Sequence, residues 1–96
     1  MKENSKNNHL REIYDDVMLP NYAPAYFVPE SAKGSRLWDK DNKEYIDFGG
    51  GIAVNSLGHA NPDLIDVLTK QAQKIWHVSN YLTNESAVKL AQQLTE

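Results

Sequence analysis

The chain has 96 residues, 13 acidic against 10 basic side chains, a formal net charge of −3 and no cysteine. Without cysteine there is no disulfide framework and no thiolate metal site, and an acidic balance with Arg11 and Arg36 as the only arginines argues against a nucleic-acid footprint. No run of 18 apolar residues and no charged-then-apolar leader occurs, so no membrane partner is expected, and the expected location is the cytoplasm. His9, His59 and His77 stand too far apart in sequence to suggest a metal cluster. One domain, or a piece of a larger one, is the most that such a length holds.

Residues 1–9 are polar and are expected to fray. From Leu10 the apolar positions Leu10, Ile13, Tyr14, Val17 and Met18 repeat the spacing of one helix face, which predicts a helix over 10–18. Pro20 ends it. Pro20, Pro24 and Pro29 then bracket an extended stretch, with Tyr26, Phe27 and Val28 predicted as a short edge strand. Lys33-Gly34-Ser35 reads as a turn. The segments 36–39 and 44–48 read as a hairpin, with Asp41 and Asn42 supplying the left-handed conformation that a tight turn demands. A three-stranded antiparallel meander follows from this reading.

The stretch Asp47 to Pro62, D-F-G-G-G-I-A-V-N-S-L-G-H-A-N-P, concentrates three consecutive glycines beside an apolar patch. Glycine serves where the backbone takes positive φ or is approached closely. The spacing fits neither a dinucleotide fingerprint nor a P-loop, so a tight glycine-lined connection is expected. Asn61-Pro62-Asp63 is a helix start with a cap, a first-turn proline and a dipole-compatible acid. Helical spacing from Leu64 to Trp76 predicts a helix over 63–76, and Ala87, Leu90, Ala91 and Leu94 predict another over 85–95. The last helix still runs at Glu96, from which a continuation is expected. Three amphipathic helices and a small meander make a poor core for one another, so Ile13, Ile75 and Leu94 are expected to stay exposed.

Few side chains announce chemistry. His59 reads as a loop-fixing group, with general base or ligand as the functional alternative. His77 reads as a cation at the negative end of a helix. Tyr22, on the proline-bracketed segment, either points its phenol into a cleft or lies on an apolar patch. Ile52 is either core or pocket wall. Asp39, Asp41, Glu44 and Asp47 alternate along the hairpin and read as a solvated face. No nucleophile–base pair emerges from spacing.

Several segments carry a resemblance. Gly34-Ser35-Arg36-Leu37-Trp38-Asp39, Lys43-Glu44-Tyr45-Ile46-Asp47-Phe48, Gly50-Gly51-Ile52-Ala53-Val54-Asn55, Leu57-Gly58-His59 and Pro62 together resemble the N-terminal part of class III (subgroup II) pyridoxal-phosphate aminotransferases. Asn21-Tyr22-Ala23-Pro24 and Trp76-His77-Val78-Ser79-Asn80 look most like the branch that acts on N-acetylornithine. Asn42 departs from the family at a position where glycine is usual, and Gly49 at one where alanine or serine is common.

The resemblance implies an α/β fold-type I transferase, of which this chain would be an α+β part: an N-terminal helix, the meander and two further helices. Residues 10–96 would form the N-terminal segment of the small domain, leading into a large cofactor-binding domain. It further implies a homodimer, pyridoxal 5'-phosphate as cofactor, and transfer of the terminal amino group of N-acetylornithine to 2-oxoglutarate in arginine biosynthesis. Other class III donors (succinylornithine, ornithine, 4-aminobutyrate, glutamate semialdehyde) remain open, as does a non-catalytic interaction module. Tyr22, Ile52 and Asn80 match substrate-side positions by this resemblance, whereas the cofactor-bearing lysine would lie beyond Glu96, leaving no catalytic residue here. The 96-residue chain alone is accordingly expected to be inactive and to hold no pyridoxal phosphate covalently. An absorbance band that survives dialysis, with one lysine modified after borohydride, would contradict this.

Overall fold

A computed structural model describes residues 5–96, which divide into two compact units, one up to Pro62 and one from Asp63 onward. The first contains α1 (Lys6–Val17), the strands β1 (Pro29–Lys33), β2 (Arg36–Asp39) and β3 (Glu44–Ile46), and the short turn α2 (Gly50–Ala53). The helix α3 (Pro62–Ala72) opens at the boundary, and α4 (Glu85–Thr95) follows in the second unit. The helix, the three-stranded antiparallel sheet in the order β1-β2-β3 and the further helices are those the sequence predicts.

Helix α1 begins earlier than its apolar stripe. Of the expected frayed segment, residues 1–4 lie outside the described residues, and the rest is corrected: the helix starts at Lys6, with Ser5 as its N-cap accepting from the Asn8 N–H at 3.1 Å. The cause is a long-range cap. Asp41, at the tip of the hairpin, accepts from the Lys6 N–H at 2.7 Å, more weakly from the Asn7 N–H at 3.4 Å, and from the Ser5 hydroxyl. A carboxylate against the first amides of a helix satisfies orphan donors and complements the dipole.

Of the alternating carboxylates read as a solvated face, Glu44 is exposed, but Asp39 is buried and Asp41 and Asp47 are half-buried. Asp39 is 3% exposed, the least exposed residue described, and accepts four hydrogen bonds, from Asn7 Nδ2, Tyr45 Oη and the N–H groups of Asp41 and Lys43, all at 2.9 Å. Asn7, 9% exposed, completes its own bonding by accepting from the Val28 N–H at 2.9 Å. Phe27 stacks on Tyr45 with centroids 4.3 Å apart. Residues 26–28 are therefore occupied by ring and side-chain contacts, and the predicted edge strand is displaced to Pro29–Lys33, entering through a bulge between Pro29 and Ser31. The hairpin pairs Trp38 with Glu44, Leu37 with Tyr45 and Arg36 with Ile46, ending two residues short of the predicted Phe48. Asn42 takes the expected left-handed conformation at φ 68°.

In the second unit α3 ends at Ala72 rather than Trp76. The indole of Trp76 donates to the Ala72 carbonyl at 2.6 Å, and Gln71 Nε2 donates to the Ile75 carbonyl at 2.9 Å. The apolar spacing runs on past the last helical turn, where side-chain bonds to carbonyls take over, and His77 lies five residues past the last helical residue instead of on it. Helix α4 occupies 85–95 as predicted, with Asn84 as its cap accepting from the Ala87 N–H at 3.0 Å. Among the described residues no apolar side chain is buried; Ile13, Ile75 and Leu94 are 44%, 53% and 77% exposed, as the unpartnered stripes imply.

The polar hub sets a pH dependence. Burial raises the Asp39 carboxyl, but the bonds from Lys43, Asn7, Tyr45 and Asp41 outweigh it and hold the group below its ordinary 3.8. Asp41 is lowered chiefly by the Ser5 hydroxyl, then by the Lys6 and Asn7 amides, against burial and the Asp39 charge. The unfolded chain therefore takes up protons first as pH falls. The stability these groups contribute is complete above 3.8 and is lost as pH drops below it toward their folded values. Tyr45 is raised above 10.0 by burial first and then by Asp39, so its contribution holds below pH 10 and is lost above it. Asn7→Ala, which strips Asp39 of one donor and leaves the Val28 N–H unsatisfied, should cost about 1–3 kcal/mol in urea unfolding of the full-length protein at pH 7. It should also shift the acid midpoint upward.

Candidate functional site

The glycine stretch forms a turn of unusual hand. Four consecutive residues take positive φ: Gly50 at 54°, Gly51 at 67°, Ile52 at 66° and Ala53 at 59°. The Ala53 N–H donates to the Gly49 carbonyl and the Val54 N–H to the Gly50 carbonyl, each at 2.9 Å, closing one left-handed turn. Gly50 and Gly51 tolerate this conformation, but a β-branched side chain there is an outlier. Ile52, at φ 66° and ψ 60°, is 94% exposed, so no packing of its side chain within the unit explains its backbone.

The turn is held from both ends. Asp47 Oδ1 accepts from the Gly49 and Gly50 N–H groups at 3.0 and 2.9 Å. Its other oxygen, Oδ2, lies 2.6 Å from His59 Nε2. The His59 bond first, with the Gly50 and Gly49 amides, lowers the Asp47 carboxyl below 3.8 against burial, so it is ionised at neutral pH. An ionised carboxylate only accepts, and Nε2 therefore carries the proton. His59 in turn forms a two-bond bridge with Gly34, N–H to carbonyl in both directions at 2.9 Å, at the β1–β2 turn. Gly58 makes this approach feasible: a Cβ built on it would stand 3.0 Å from Gly34 Cα, at φ 81°.

The sequence reading of His59 as a loop-fixing group holds, with its imidazole on the Asp47 carboxylate while its main-chain N–H takes the Gly34 carbonyl. Asp47 itself was missed as an anchor. Its signal was present, since an aspartate two and three residues before glycines is placed to accept backbone amides in an Asx turn.

Tyr22 lies on the extended segment, 78% exposed. Downstream of it, Arg11 ties the segment to α1, donating to the Pro24 carbonyl at 2.6 Å while its guanidinium lies 4.6 Å from the Tyr26 ring centroid. Asn80 is exposed on the loop between α3 and α4 in the other unit. That unit has a cavity of about 400 Å³ lined by residues including Lys74, Trp76, His77 and Asn84, and Asn80 is not part of its wall. Tyr22 and Ile52 thus share a unit, and Asn80 belongs to the second. Among the described residues no histidine–carboxylate cluster is arranged to hold a metal ion, and no helix is long and apolar enough to cross a membrane.

The profile of the class-III aminotransferase family matches residues 17–96. The chain belongs to this family. Over 86 residues it is 58% identical to an acetylornithine/succinyldiaminopimelate aminotransferase of Photorhabdus laumondii, a match covering 90% of this chain and 21% of that protein. A succinylornithine transaminase/acetylornithine aminotransferase of Pseudomonas aeruginosa is likewise 58% identical over 86 residues, with the same shares covered. The crystal structure of an acetylornithine aminotransferase from Elizabethkingia anophelis superimposes with a TM-score of 0.89 at 25% identity, covering 95% of this chain and 24% of that one. The chain thus spans about a fifth of the length of the curated relatives it matches.

Within this family segment the left-handed turn separates two costs. Gly50→Ala places a Cβ no nearer than 3.9 Å to the Asn55 amide nitrogen, so only the conformational cost applies. That substitution should destabilise the full-length protein by about 1–2 kcal/mol. Gly58→Ala adds a backbone clash with Gly34 and should cost more, the difference being read from urea midpoints of the two variants measured side by side.

Proposed function

We propose that this chain is the N-terminal segment of a transaminase that moves the terminal amino group of an N-acylated ornithine, N-acetylornithine first, to 2-oxoglutarate, in arginine biosynthesis. The observation that carries the reading is the 58% identity to two proteins named for acetylornithine, one of which is also named for succinylornithine. N-succinylornithine is for that reason the second donor to test. The exposed apolar stripes fit a segment covered by further chain in a cytoplasmic homodimer.

Pyridoxal 5'-phosphate, when bound, supplies the electron sink for such a transfer. Its seat would need a lysine amine within a cleft beside donors for a phosphate. Here Lys70 pairs with Asp66 at 2.8 Å, Lys89 with Glu85 at 2.7 Å and Lys40 with Glu30, while Lys43 lies over the Tyr45 ring. These four are held in surface arrangements, while Lys74 stands in the wall of the cavity in the second unit; none of them is assigned as the cofactor-bearing lysine.

What this segment contributes is on the substrate side. Tyr22 is assigned to grip the carboxylate end of the donor through its phenol. Ile52 is assigned to the wall beside the acylated α-nitrogen, where an apolar side chain suits an amide-masked group better than a free ammonium. Asn80 is assigned a polar contact to the same substrate.

Losing one hydrogen bond to a charged group costs about 1.5–3 kcal/mol. Tyr22→Phe in the full-length enzyme should therefore lower kcat/KM for N-acetylornithine by roughly ten- to a hundredfold, with 2-oxoglutarate as acceptor. Ile52→Tyr should penalise N-acetylornithine more than ornithine, and the ratio of the two kcat/KM values is the quantity that decides it. An unchanged ratio removes Ile52 from the pocket.

A further inference from the structure

Ile52 poses a physical question that its own contacts do not answer. A β-branched residue in the left-handed region is costly, and such outliers persist only where the surroundings over-determine them, typically at ligand clamps and active sites. The side chain is 94% exposed within its unit, so the determination comes through the backbone. The Ala53 and Val54 N–H bonds to the Gly49 and Gly50 carbonyls close the turn around it, and one carboxylate anchors the start of that turn. Asp47 holds the Gly49 and Gly50 amides with one oxygen and His59 with the other, and His59 is bonded twice to Gly34 beside the sheet. The sheet, the imidazole, the carboxylate and the start of the turn thus form one continuous chain of contacts that reaches Gly50, two residues before Ile52. Neither Asp47 nor His59 need touch a substrate to govern where Ile52 stands.

We propose that Asp47 and His59 are positioning residues for donor specificity: by holding the left-handed turn Gly50–Ala53 in place they fix Ile52 as the wall that favours an acylated over a free α-amino group. This rests on the assignment of Ile52 to the substrate pocket. With the link from His59 cut, the Gly50 and Gly51 backbone retains many alternatives, since glycine has no preference for the observed hand. Ile52 would relax toward the ordinary region and its side chain would leave the wall. The consequence is a loss of discrimination, which a contact needed only for folding would not produce.

The test uses the full-length enzyme with 2-oxoglutarate as acceptor, measuring kcat/KM for N-acetylornithine and for ornithine together with the thermal midpoint. His59→Ala should lower the ratio of the two values by about tenfold, the scale on which one displaced apolar group alters discrimination. His59→Gln, whose amide N–H can reach Asp47 Oδ2, should restore most of the ratio. If His59→Ala does not fold, His59→Asn carries the same expectation, because its amide is too short to reach. In an Ile52→Ala background His59→Ala should produce no further change in the ratio, as expected when one residue acts through the other.

A His59→Ala variant with a lowered thermal midpoint and an unaltered ratio overturns the proposal, and so does an undiminished effect in the Ile52→Ala background. The two failures are separable. If Ile52→Tyr alone leaves the ratio unchanged, the pocket assignment is wrong and the proposal falls with it. If Ile52→Tyr shifts the ratio and the His59 variants do not, the pocket stands and only the positioning role is lost.

Discussion

The carboxylate of Asp39 is the point on which the first unit depends. Burying a charge is unfavourable unless every lone pair that water would have satisfied finds a donor. Here four donors arrive from three places: the Asp41 and Lys43 amides of the hairpin turn, the phenol of Tyr45 on the neighbouring strand, and the Asn7 amide of α1. The last two convert a local turn into a tertiary joint. Asn7 hands the joint on to the Val28 amide, and Tyr45 hands it on to the Phe27 ring. With no apolar side chain buried among the described residues, directional polar contacts rather than packing set the relative placement of helix, extended segment and sheet in this unit. Downstream of Tyr22 the extended segment is held at two polar anchors, Arg11 on the Pro24 carbonyl and Asn7 on the Val28 amide.

Much of this was legible where the cause was local. The hairpin over 36–46, the left-handed Asn42 and α4 each follow from signals within a few residues of where they act. What could not be read was any feature whose cause lies far along the chain. The start of α1 is decided by Asp41, which follows Lys6 by 35 residues, and no window around Ser5 contains that information. Alternation of carboxylates put Asp39 and Glu44 on one solvated face, whereas the register sets Glu44 beside Trp38 on the face opposite Asp39, and alternation carries no indication of which face will be covered. The end of α3 was overrun for a different reason. Ile75 and Trp76 keep helical spacing beyond the helix end and are tied to its last turn by side-chain bonds with Gln71 and Ala72, a case in which periodicity and helix are not the same thing.

The site divides in the same way. The glycine run told of a backbone that takes positive φ or is closely approached. It did not tell that Ile52 and Ala53 would be carried into the left-handed region too, since their propensities argue the opposite. Such a disagreement between local preference and observed conformation is itself informative, because sequences are locally consistent except where something else is being met. Tyr22 and Ile52 stood out in the sequence with a structural alternative beside each, and Asn80 by resemblance alone; the structure draws attention to Ile52 again, through its backbone, and adds Asp47 and His59, which the resemblance did not mark as functional.

Geometry and stability are therefore set by different parts of the molecule on the proposed reading. Each hydrogen bond in the Asp39 and Asp47 networks exchanges with water on unfolding, and a typical intramolecular bond contributes only about 0.5–1.5 kcal/mol net. An apolar side chain taken out of water contributes about 1.5–3 kcal/mol, and here Ile13, Leu68, Ile75 and Leu94 all keep much of that potential unspent at the surface. A segment built this way has its shape specified by its own polar contacts and most of its stability reserved for whatever surface covers those stripes. The left-handed turn fits that division: its conformation opposes the intrinsic preference of Ile52 and is maintained by Asp47 and His59. The position of the proposed specificity wall is thus written into the first 62 residues, independently of how the remaining apolar faces are covered.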